Sequence, residues 1–389
     1  MKVYLDNAAT TPLDKEVLDA MMPYLNAHFV NPSSTHLFGW KTKTAIETSR
    51  RAIASSLNVT PSEICFTSGG TEADNLAIRG SVNDLGCKRI ITSRVEHSAV
   101  IKTSEELEAQ GLAEVKFVNL DSKGHVDLTH LAELLDCGKK CLVSLMHGNN
   151  EIANILPLKR VGEMCQKHDA IFHSDTVQTM GHFPFDLQDL YIHFITGAAH
   201  KFHGPKGIGF LYINKGISIS PLITGGGQER QQRGGTENLY GIVGLGKAIE
   251  LAYRDLDEHK DHISGIKKYM IEQLDKHMPG CDINGDSANP DSLYTVLNVT
   301  LPKNPNSSMM LFLLDIEGVS CSGGSACSSG ASKGSHVLTA IDAIKEGRTS
   351  LRFSFGRFTS KAEIDYAVSK VKDLCLVKEK APEHETQAL

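Results

Sequence analysis

A pair of glycines marks the first segment of this chain that could do chemistry, in the run Thr67-Ser68-Gly69-Gly70-Thr71-Glu72. The run follows an apolar stretch that predicts a strand and precedes a stretch that predicts a helix. Glycine lets the backbone approach an anion closely, and the free amides and dipole of a helix N-terminus favour a phosphate. Glycine turns between a strand and a helix are also common without a ligand. Alone, the segment is therefore only a weak sign of a phosphate site.

Two further polar side chains follow predicted strands later in the chain. Lys201 comes shortly after the apolar run Phe194–Thr196, where partial burial would lower its pKa and make it a Schiff-base nucleophile. Its ordinary alternative is a surface lysine. Asp175 comes after the run Ala170–His173, where a carboxylate could pair with a protonated ring nitrogen. Its ordinary alternative is a helix N-cap.

The order of these three features narrows their interpretation. A phosphate cradle, a carboxylate at a strand end and a later lysine are the parts that a pyridoxal-phosphate site needs. They would serve as phosphate anchor, partner of the pyridinium nitrogen and Schiff-base lysine. The sequence therefore predicts an enzyme that uses pyridoxal 5'-phosphate.

The elements that must position these residues alternate along the chain. Short apolar runs predict seven strands, and amphipathic stretches between them predict helices. The predicted strands are Ile64–Thr67, Arg89–Thr92, Val115–Val118, Leu142–Met146, Ala170–His173, Phe194–Thr196 and Ile208–Ile213. The predicted helices are Ala73–Arg79, Val100–Gln110, Leu128–Leu135 and Leu158–His168. This alternation predicts βαβ units and a largely parallel sheet, in which the loops at the strand C-termini carry the chemistry.

A second region follows a long helical stretch from about Ile242 to Met278. Its predicted strands are Thr295–Val299 and Leu351–Phe355, and a Gly/Ser-rich segment lies between them. The N-terminal segment around Tyr4–Pro12 is expected to cross back to the site or to this second region.

Length and composition set the class of protein. The chain has 389 residues, a net charge of −6 and 41% hydrophobic residues, as expected of a globular protein with a sizeable core. This length predicts two domains. We expect a large domain over residues 15–255 and a smaller one formed by residues 1–14 and 256–389.

Two classes of partner, nucleic acids and membranes, are excluded by the charge and hydropathy patterns of the chain. No basic stripe suggests a nucleic-acid binder, and no run of eighteen apolar residues predicts a membrane span.

Nine cysteines without an export signal indicate a reducing cytosol. Cys137 and Cys141 lie close in sequence, but no second Cys or His cluster completes a zinc site. We therefore expect them to be small buried hydrophobes, and we expect no metal site.

Nearly the whole chain resembles the cysteine desulfurases of the NifS/IscS type, which belong to the class V aminotransferases among the fold-type I pyridoxal-phosphate enzymes. The resemblance runs from Tyr4–Pro12 to Arg352–Phe358. The intermediate matches are Asn31–Ser34 with His36, Ser68–Glu72, Glu96–Ser98, Asn149–Glu151, Asp175 with Gln178, His200-Lys201, Arg233–Thr236 and Gly324–Cys327. It implies an α/β fold with a large domain around a mostly parallel seven-stranded sheet and a smaller C-terminal α/β domain.

The resemblance also implies roles for individual residues. Lys201 would hold the cofactor and shuttle the substrate Cα proton, Asp175 would keep the pyridine nitrogen protonated, and His97 would stack on the ring and assist proton transfers. Arg352 would clamp the substrate α-carboxylate with a bidentate guanidinium, its alternative being a strand-surface salt bridge. Thr236 would reach the phosphate of a neighbouring subunit, which implies a homodimer with shared sites. The other implied contacts are Gly70, Thr71 and His200 at the phosphate, Gln178 at the phenolic oxygen, and Asn150 near that oxygen and the substrate.

Cys327 separates a desulfurase from other enzymes of this cofactor. It lies in the segment Cys321–Gly330, whose small residues deny it a core of its own, so we expect it to be mobile. A thiol that attacks substrate sulfur and carries it away needs such exposure, and its thiolate is the nucleophile. Cys321 competes for this role, but only Cys327 matches the family's Gly-Ser-Ala-Cys pattern.

One position departs from the family pattern. A serine that gives a hydroxyl to the phosphate usually stands two residues before the His-Lys pair, and here that residue is Ala198. Losing one neutral hydrogen bond costs about 0.5–1.5 kcal/mol. We therefore expect weaker retention of the cofactor rather than loss of activity.

The sequence thus predicts a cytoplasmic cysteine desulfurase that converts L-cysteine to L-alanine and holds the sulfur as a persulfide on Cys327. The persulfide would pass to a sulfur-acceptor protein, such as an iron–sulfur scaffold. Two alternatives remain open at this point. One is a selenocysteine lyase or another class V lyase or aminotransferase, and the other is a non-catalytic sulfur-relay scaffold.

Overall fold

The computed structural model describes residues 1–323 and 334–376, which form an α/β fold. The strands are β1 (Val3–Tyr4), β2 (Ile64–Thr67), β3 (Arg89–Thr92), β4 (Glu114–Phe117), β5 (Cys141–Ser144), β6 (Ile171–Asp175), β7 (Phe194–Ala198), β8 (Gly209–Ile213), β9 (Asp282–Ile283), β10 (Val296–Thr300), β11 (Val319–Ser320) and β12 (Ser350–Ser354). The helices are α1 (Lys15–Asn26), α2 (Leu37–Ser56), α3 (Gly70–Asn83), α4 (Ser98–Ala109), α5 (Leu128–Leu135), α6 (Leu158–Lys167), α7 (Leu239–Arg254), α8 (Leu256–His277), α9 (Met310–Ile316), α10 (His336–Ala340) and α11 (Lys361–Leu376).

Seven strands form one mixed sheet in the order β2-β8-β7-β6-β5-β3-β4. Strand β8 is antiparallel to both of its neighbours, and the other pairs are parallel. This confirms the predicted fold class, with its mostly parallel seven-stranded sheet. Each predicted run of this region forms one strand, with ends that differ by no more than two residues.

The sheet is buried on both faces, which explains why its strands are apolar runs rather than alternating ones. Successive side chains of a strand point to opposite faces. In β2, Ile64 and Phe66 enter one hydrophobic cluster, while Cys65 between them enters the cluster on the other face. Strand β5 repeats the pattern, with Val143 on the first face and Leu142 on the second.

A separate hydrophobic cluster forms the core of the C-terminal third of the chain. Its core joins β10 and β12 to helices α8 and α11, and it includes Val3 and Leu5 from the N-terminus. Strands β12, β10 and β9 form an antiparallel sheet, and β1 pairs in parallel with β11. The N-terminal segment therefore does cross to this region, as predicted.

The predicted helical stretch from Ile242 to Met278 is wrong in one respect, because it is two helices. Helix α7 ends where Asp255 adopts φ −110° and ψ 23°, and α8 begins at the next residue. Aspartate is a weak helix former, and the Asp255 amide still donates to the Leu251 oxygen, so the break lies in the backbone angles of this one residue. None of the helices in the described ranges combines the length and apolar character needed to cross a membrane.

Candidate active site

One cavity of about 180 Å³ opens at the C-terminal ends of the parallel strands. Nine of the eleven predicted site residues line it, which are Gly70, Thr71, His97, Asn150, Asp175, Gln178, His200, Lys201 and Arg352. They come from six separate stretches of sequence, so the sheet is what brings them together. This is the edge at which an open α/β sheet places its ligand sites.

Gly70 and Thr71 form the first turn of α3, immediately beyond β2. The first N–H groups of a helix have no partner within it, so this turn presents backbone donors to the cavity. A Cβ atom on Gly70 would lie 2.8 Å from Val177 Cγ2 and 3.9 Å from Ala198 Cβ. The glycine is therefore required by the close approach of the loop after β6.

Asp175 is the last residue of β6 and is 5% exposed. Its Oδ1 accepts a hydrogen bond from the Val177 amide at 2.9 Å, and no helix follows, so the N-cap alternative is not what the structure shows. Burial, and then the neighbouring carboxyl of Asp74, raise the pKa of Asp175 to about 6. A cationic group placed beside it would restore its charge.

His97 caps helix α4, because its Nδ1 accepts from the Ala99 amide at 3.2 Å. The same ring also lines the cavity. Burial lowers the pKa of His97, the nearby Lys201 and His336 lower it further, and Asp175 raises it. An imidazole that accepts at Nδ1 and stays neutral carries its proton on Nε2.

Lys201 ends a short 3-10 turn directly after β7. Its Nζ donates to the backbone oxygens of Ala8 and Ala9. Gln178 Nε2 donates to the same Ala8 oxygen at 3.0 Å. The N-terminal segment thus forms one wall of the cavity and contacts both of these predicted site residues.

His200 faces the same segment, with Nδ1 3.2 Å from Thr10 Oγ1. Burial lowers the pKa of His200 to about 4, helped by the positive charges of Lys201 and Lys206. The ring is therefore neutral at physiological pH and can donate one hydrogen bond to an anion.

Arg352 lies on β12 and is 1% exposed. Its Nη1 donates to the backbone oxygen of Asn150 at 3.0 Å, and its Nη2 donates to Asp6 Oδ1 at 2.8 Å. Its Nε is buried without a partner in the described residues. The alternative of a salt bridge holds in part, because Arg352 does pair with Asp6, but this guanidinium is buried rather than on the surface and also lines the cavity.

Two predicted residues are not placed at this cavity. Thr236 is exposed and lines a separate depression with Arg233 and Gly235. Arg233 ties its loop to the start of α3 through Glu72, at 3.0 Å. Cys327, the predicted nucleophile, falls outside the described ranges.

Two acidic residues of the site were missed by the sequence interpretation. Asp74 lies one turn after Gly70 on α3, is 1% exposed and lines the cavity. It is a charged residue at a position where the periodicity of α3 predicts burial, and this mismatch could have identified it. Asp6 belongs to the N-terminal match Tyr4–Pro12, but no role was predicted for it. Its contact with Arg352 spans 346 residues of sequence, which no local pattern reveals.

Comparison with known proteins gives this arrangement a family context. A model of the class-V aminotransferases matches residues 3–367. A cysteine desulfurase IscS of Dictyoglomus turgidum is 44% identical over 370 residues, covering 94% of this chain and 93% of that protein. A cysteine desulfurase IscS of Methanosarcina thermophila is 43% identical over 376 residues, covering 96% and 91%.

Solved structures are similar over the same extent. A NifS-like protein superimposes with a TM-score of 0.88 at 36% identity, covering 96% of this chain and 99% of that one. SspA, solved in complex with cysteine, gives a TM-score of 0.79 at 32% identity and covers 92% of this chain and 100% of that one. The similarity therefore includes the whole of the cavity and the elements around it.

Proposed function

This chain belongs to the class-V aminotransferase family, and from that premise we propose that it is a cysteine desulfurase. The observation that carries the proposal is the convergence of Lys201, Asp175 and Arg352 on one cavity. It is supported by the relatives named cysteine desulfurase IscS, which match nearly the full chain. The activity would convert L-cysteine to L-alanine and transfer the sulfur to a thiol of the enzyme.

The cavity suits pyridoxal 5'-phosphate as the cofactor. The α3 N-terminus and the neutral His200 would hold the phosphate. Asp175 would face the ring nitrogen and Gln178 the phenolic oxygen. Asp74 Oδ1 and Arg352 Nε are buried polar atoms without partners in the described residues, as expected of a cavity shaped for a polar ligand. When bound, the cofactor supplies an electron sink for negative charge at the substrate Cα.

Arg352 would bind and orient the substrate. Its guanidinium is buried, and in a cavity of low dielectric its pull on an α-carboxylate is stronger than at the surface. The planar fork matches a carboxylate with two parallel hydrogen bonds. Asn150, whose backbone oxygen accepts from Arg352 Nη1, would line the same end of the substrate.

Lys201 and His97 would move protons. Lys201 Nζ lies at the cavity wall between the N-terminal segment and β7 and would take the proton from the substrate Cα. His97 is fixed through Nδ1 by its cap of α4, so its Nε2 is the atom that exchanges a proton inside the cavity. Both side chains are only partly exposed, which limits access of water to these steps.

Cys327 would receive the sulfur. Its thiolate attacks the substrate Sγ, the Cβ–Sγ bond breaks, and its electron pair remains on the amino-acid portion, which gains a proton at Cβ and leaves as alanine. Ser322 pairs with Arg352 through two backbone hydrogen bonds, of 3.1 and 2.6 Å. The chain that leads to Cys327 therefore starts from a residue bonded to the proposed substrate clamp.

We also infer a homodimer in which Thr236 completes the phosphate site of a second copy. Large apolar side chains are exposed on the segment from Phe29 to Trp40: Phe29 at 75%, Leu37 at 79%, Phe38 at 69% and Trp40 at 63%. Phe29 shares a depression with Thr236. Exposed apolar patches of this kind mark interaction surfaces, so pairing of two chains here would cover them.

The persulfide would pass to an acceptor protein, for which an iron–sulfur scaffold is our proposal, in the cytoplasm. The division into a domain of residues 15–255 and one of residues 1–14 with 256–389 is likewise proposed. It is supported by the separate hydrophobic cluster that joins Val3 and Leu5 to the C-terminal third.

The direct test is to incubate the purified protein with L-cysteine and measure alanine and enzyme-bound persulfide. Both products are expected from the parent, and both should be lost in Cys327→Ala. The matched control is Cys281→Ala, a partly exposed thiol elsewhere in the C-terminal third, which should leave turnover intact. If Cys327→Ala still releases alanine at the parent rate, the protein is a lyase of another kind.

A further inference from the structure

The buried guanidinium of Arg352 already has an anionic partner inside the protein. Arg352 Nη2 donates to Asp6 Oδ1 at 2.8 Å, and the Asp6 side chain is 18% exposed. Without a partner a buried charge is strongly destabilising, so Asp6 compensates the clamp when no substrate is present.

Asp6 is held firmly in this position. It forms a β-bridge with Ser354, two residues along β12 from Arg352, and the Asn7 amide donates to the Ser354 oxygen at 3.3 Å. The same Oδ1 also accepts from Ser322 Oγ at 2.9 Å. One carboxylate oxygen is thus shared between the proposed substrate clamp and the strand end that leads towards Cys327.

We infer that Asp6 is a resident competitor of the substrate, a positioning residue whose carboxylate weakens the hold of Arg352 on α-carboxylates. This inference rests on the proposed function, since it takes Arg352 as the clamp for the α-carboxylate. A bound α-carboxylate would lie on the same guanidinium as Asp6, and two like charges that share one cation repel each other. Asp6 therefore lowers the affinity for substrate and product alike.

Such a competitor has a use in turnover. Substrate and product both carry the α-carboxylate, so a clamp that bound it at full strength would also retain alanine. Uniform binding of substrate and transition state lowers KM without raising kcat. A resident carboxylate limits that uniform binding and speeds release of the product.

Asp6→Asn tests the inference, because asparagine keeps an acceptor oxygen for Arg352 and Ser322 but removes the charge. The ligands are L-alanine and ethylamine, which differ by the carboxylate alone, and binding is followed by the absorbance of the holoenzyme's cofactor. We expect Asp6→Asn to bind L-alanine about tenfold more tightly and ethylamine as the parent does. KM for L-cysteine should fall with it, and kcat should fall as alanine leaves more slowly.

Two controls separate charge competition from a structural role. Asp19→Asn, an exposed carboxylate paired with Lys15, should bind both ligands as the parent does. Ser322→Ala removes the second donor to Asp6 Oδ1, leaves the carboxylate more available to Arg352 and should weaken L-alanine binding. Ser322→Ala also tests the inference if Asp6→Asn does not fold.

The inference is overturned if Asp6→Asn binds L-alanine with unchanged or lower affinity, or if both ligands change together. It is also overturned if Ser322→Ala binds L-alanine more tightly. Neither ligand contains sulfur, so these outcomes stand apart from failure of the desulfurase proposal, which would appear as absence of alanine and persulfide from L-cysteine.

Discussion

A carboxylate oxygen of Asp74 lies within 4.8 Å of one from Asp175, and both residues line the cavity. Burial raises the pKa of Asp74 to about 7. His173 Nε2 approaches Asp74 Oδ1 at 3.4 Å, but burial lowers the pKa of His173 to about 4, so this contact is not an ion pair. The two carboxyl groups therefore share a region of the protein that resists a second negative charge.

The first prediction concerns Asp74→Asn in protein freed of cofactor. A carboxyl whose pKa is raised on folding contributes stability at low pH that is lost as the pH rises through the folded pKa. Asparagine stays neutral, so the variant's advantage over the parent in free energy of unfolding should grow by about 1–3 kcal/mol between pH 5 and pH 8. Thermal unfolding at both pH values measures this, with Asp19→Asn as the exposed control. Equal pH dependence in parent and variant would contradict the shifted pKa.

The second prediction separates the two cysteines of the Gly/Ser-rich segment. Burial raises the pKa of the Cys321 thiol to about 12, so at pH 8 almost none of it is thiolate, the form that attacks sulfur. Cys321→Ser should therefore keep persulfide formation, whereas Cys327→Ser should abolish it. Alkylation after a pulse of L-cysteine, followed by mass spectrometry, locates the persulfide. Sulfur on Cys321 in the parent would reverse the assignment.

The third prediction uses the close approach at Gly70. In Gly70→Ala the new Cβ would lie 2.8 Å from Val177 Cγ2, and overpacking of this kind costs about 1–3 kcal/mol. The affinity of the apoprotein for pyridoxal 5'-phosphate should fall about tenfold or more. Adding Val177→Ala should restore most of it, and Val177→Ala alone is the control. If the double variant did not recover its affinity for pyridoxal 5'-phosphate, the contact with Val177 would not be the cause of the loss.

The fourth prediction concerns the departure at Ala198, which ends β7 and is 1% exposed at the cavity wall. Ala198→Ser would add a hydroxyl donor beside Gly70. One hydrogen bond to a charged acceptor contributes about 1.5–3 kcal/mol, so the cofactor should be retained at least several-fold more tightly. Titration of the apoprotein measures the gain, and Ala109→Ser on the exposed side of α4 serves as control. Unchanged affinity would mean that the hydroxyl does not reach the phosphate.

Much of this architecture was predictable because buried parallel strands have a local signature. Apolar runs bounded by polar loops predict every strand of the large sheet, and polar residues at the end of β6 and just beyond β7 were expected to carry chemistry. The helix break at Asp255 was not predicted, since apolar periodicity continues across it. The break lies in the backbone angles of one residue, Asp255, which periodicity does not report.

The missing parts of the site share a different cause. The contacts of Asp6 with Arg352 and of Ala8 with Lys201 join residues more than 190 positions apart. Every residue has a backbone oxygen like that of Ala8, so the amino-acid type does not predict which of them contacts a site residue. The role of Asp74 depends on its distance from Asp175, which only the packing of α3 on the sheet determines.

The N-terminal segment of the cavity wall has a consequence for biosynthesis. Residues 3–8 are synthesised before the large sheet, yet their partners β11, β12 and Arg352 are synthesised after it. The large sheet can assemble during translation, but the proposed substrate clamp and its counter-ion cannot form until β12 has left the ribosome. A chain that still lacks β12 therefore has no complete site.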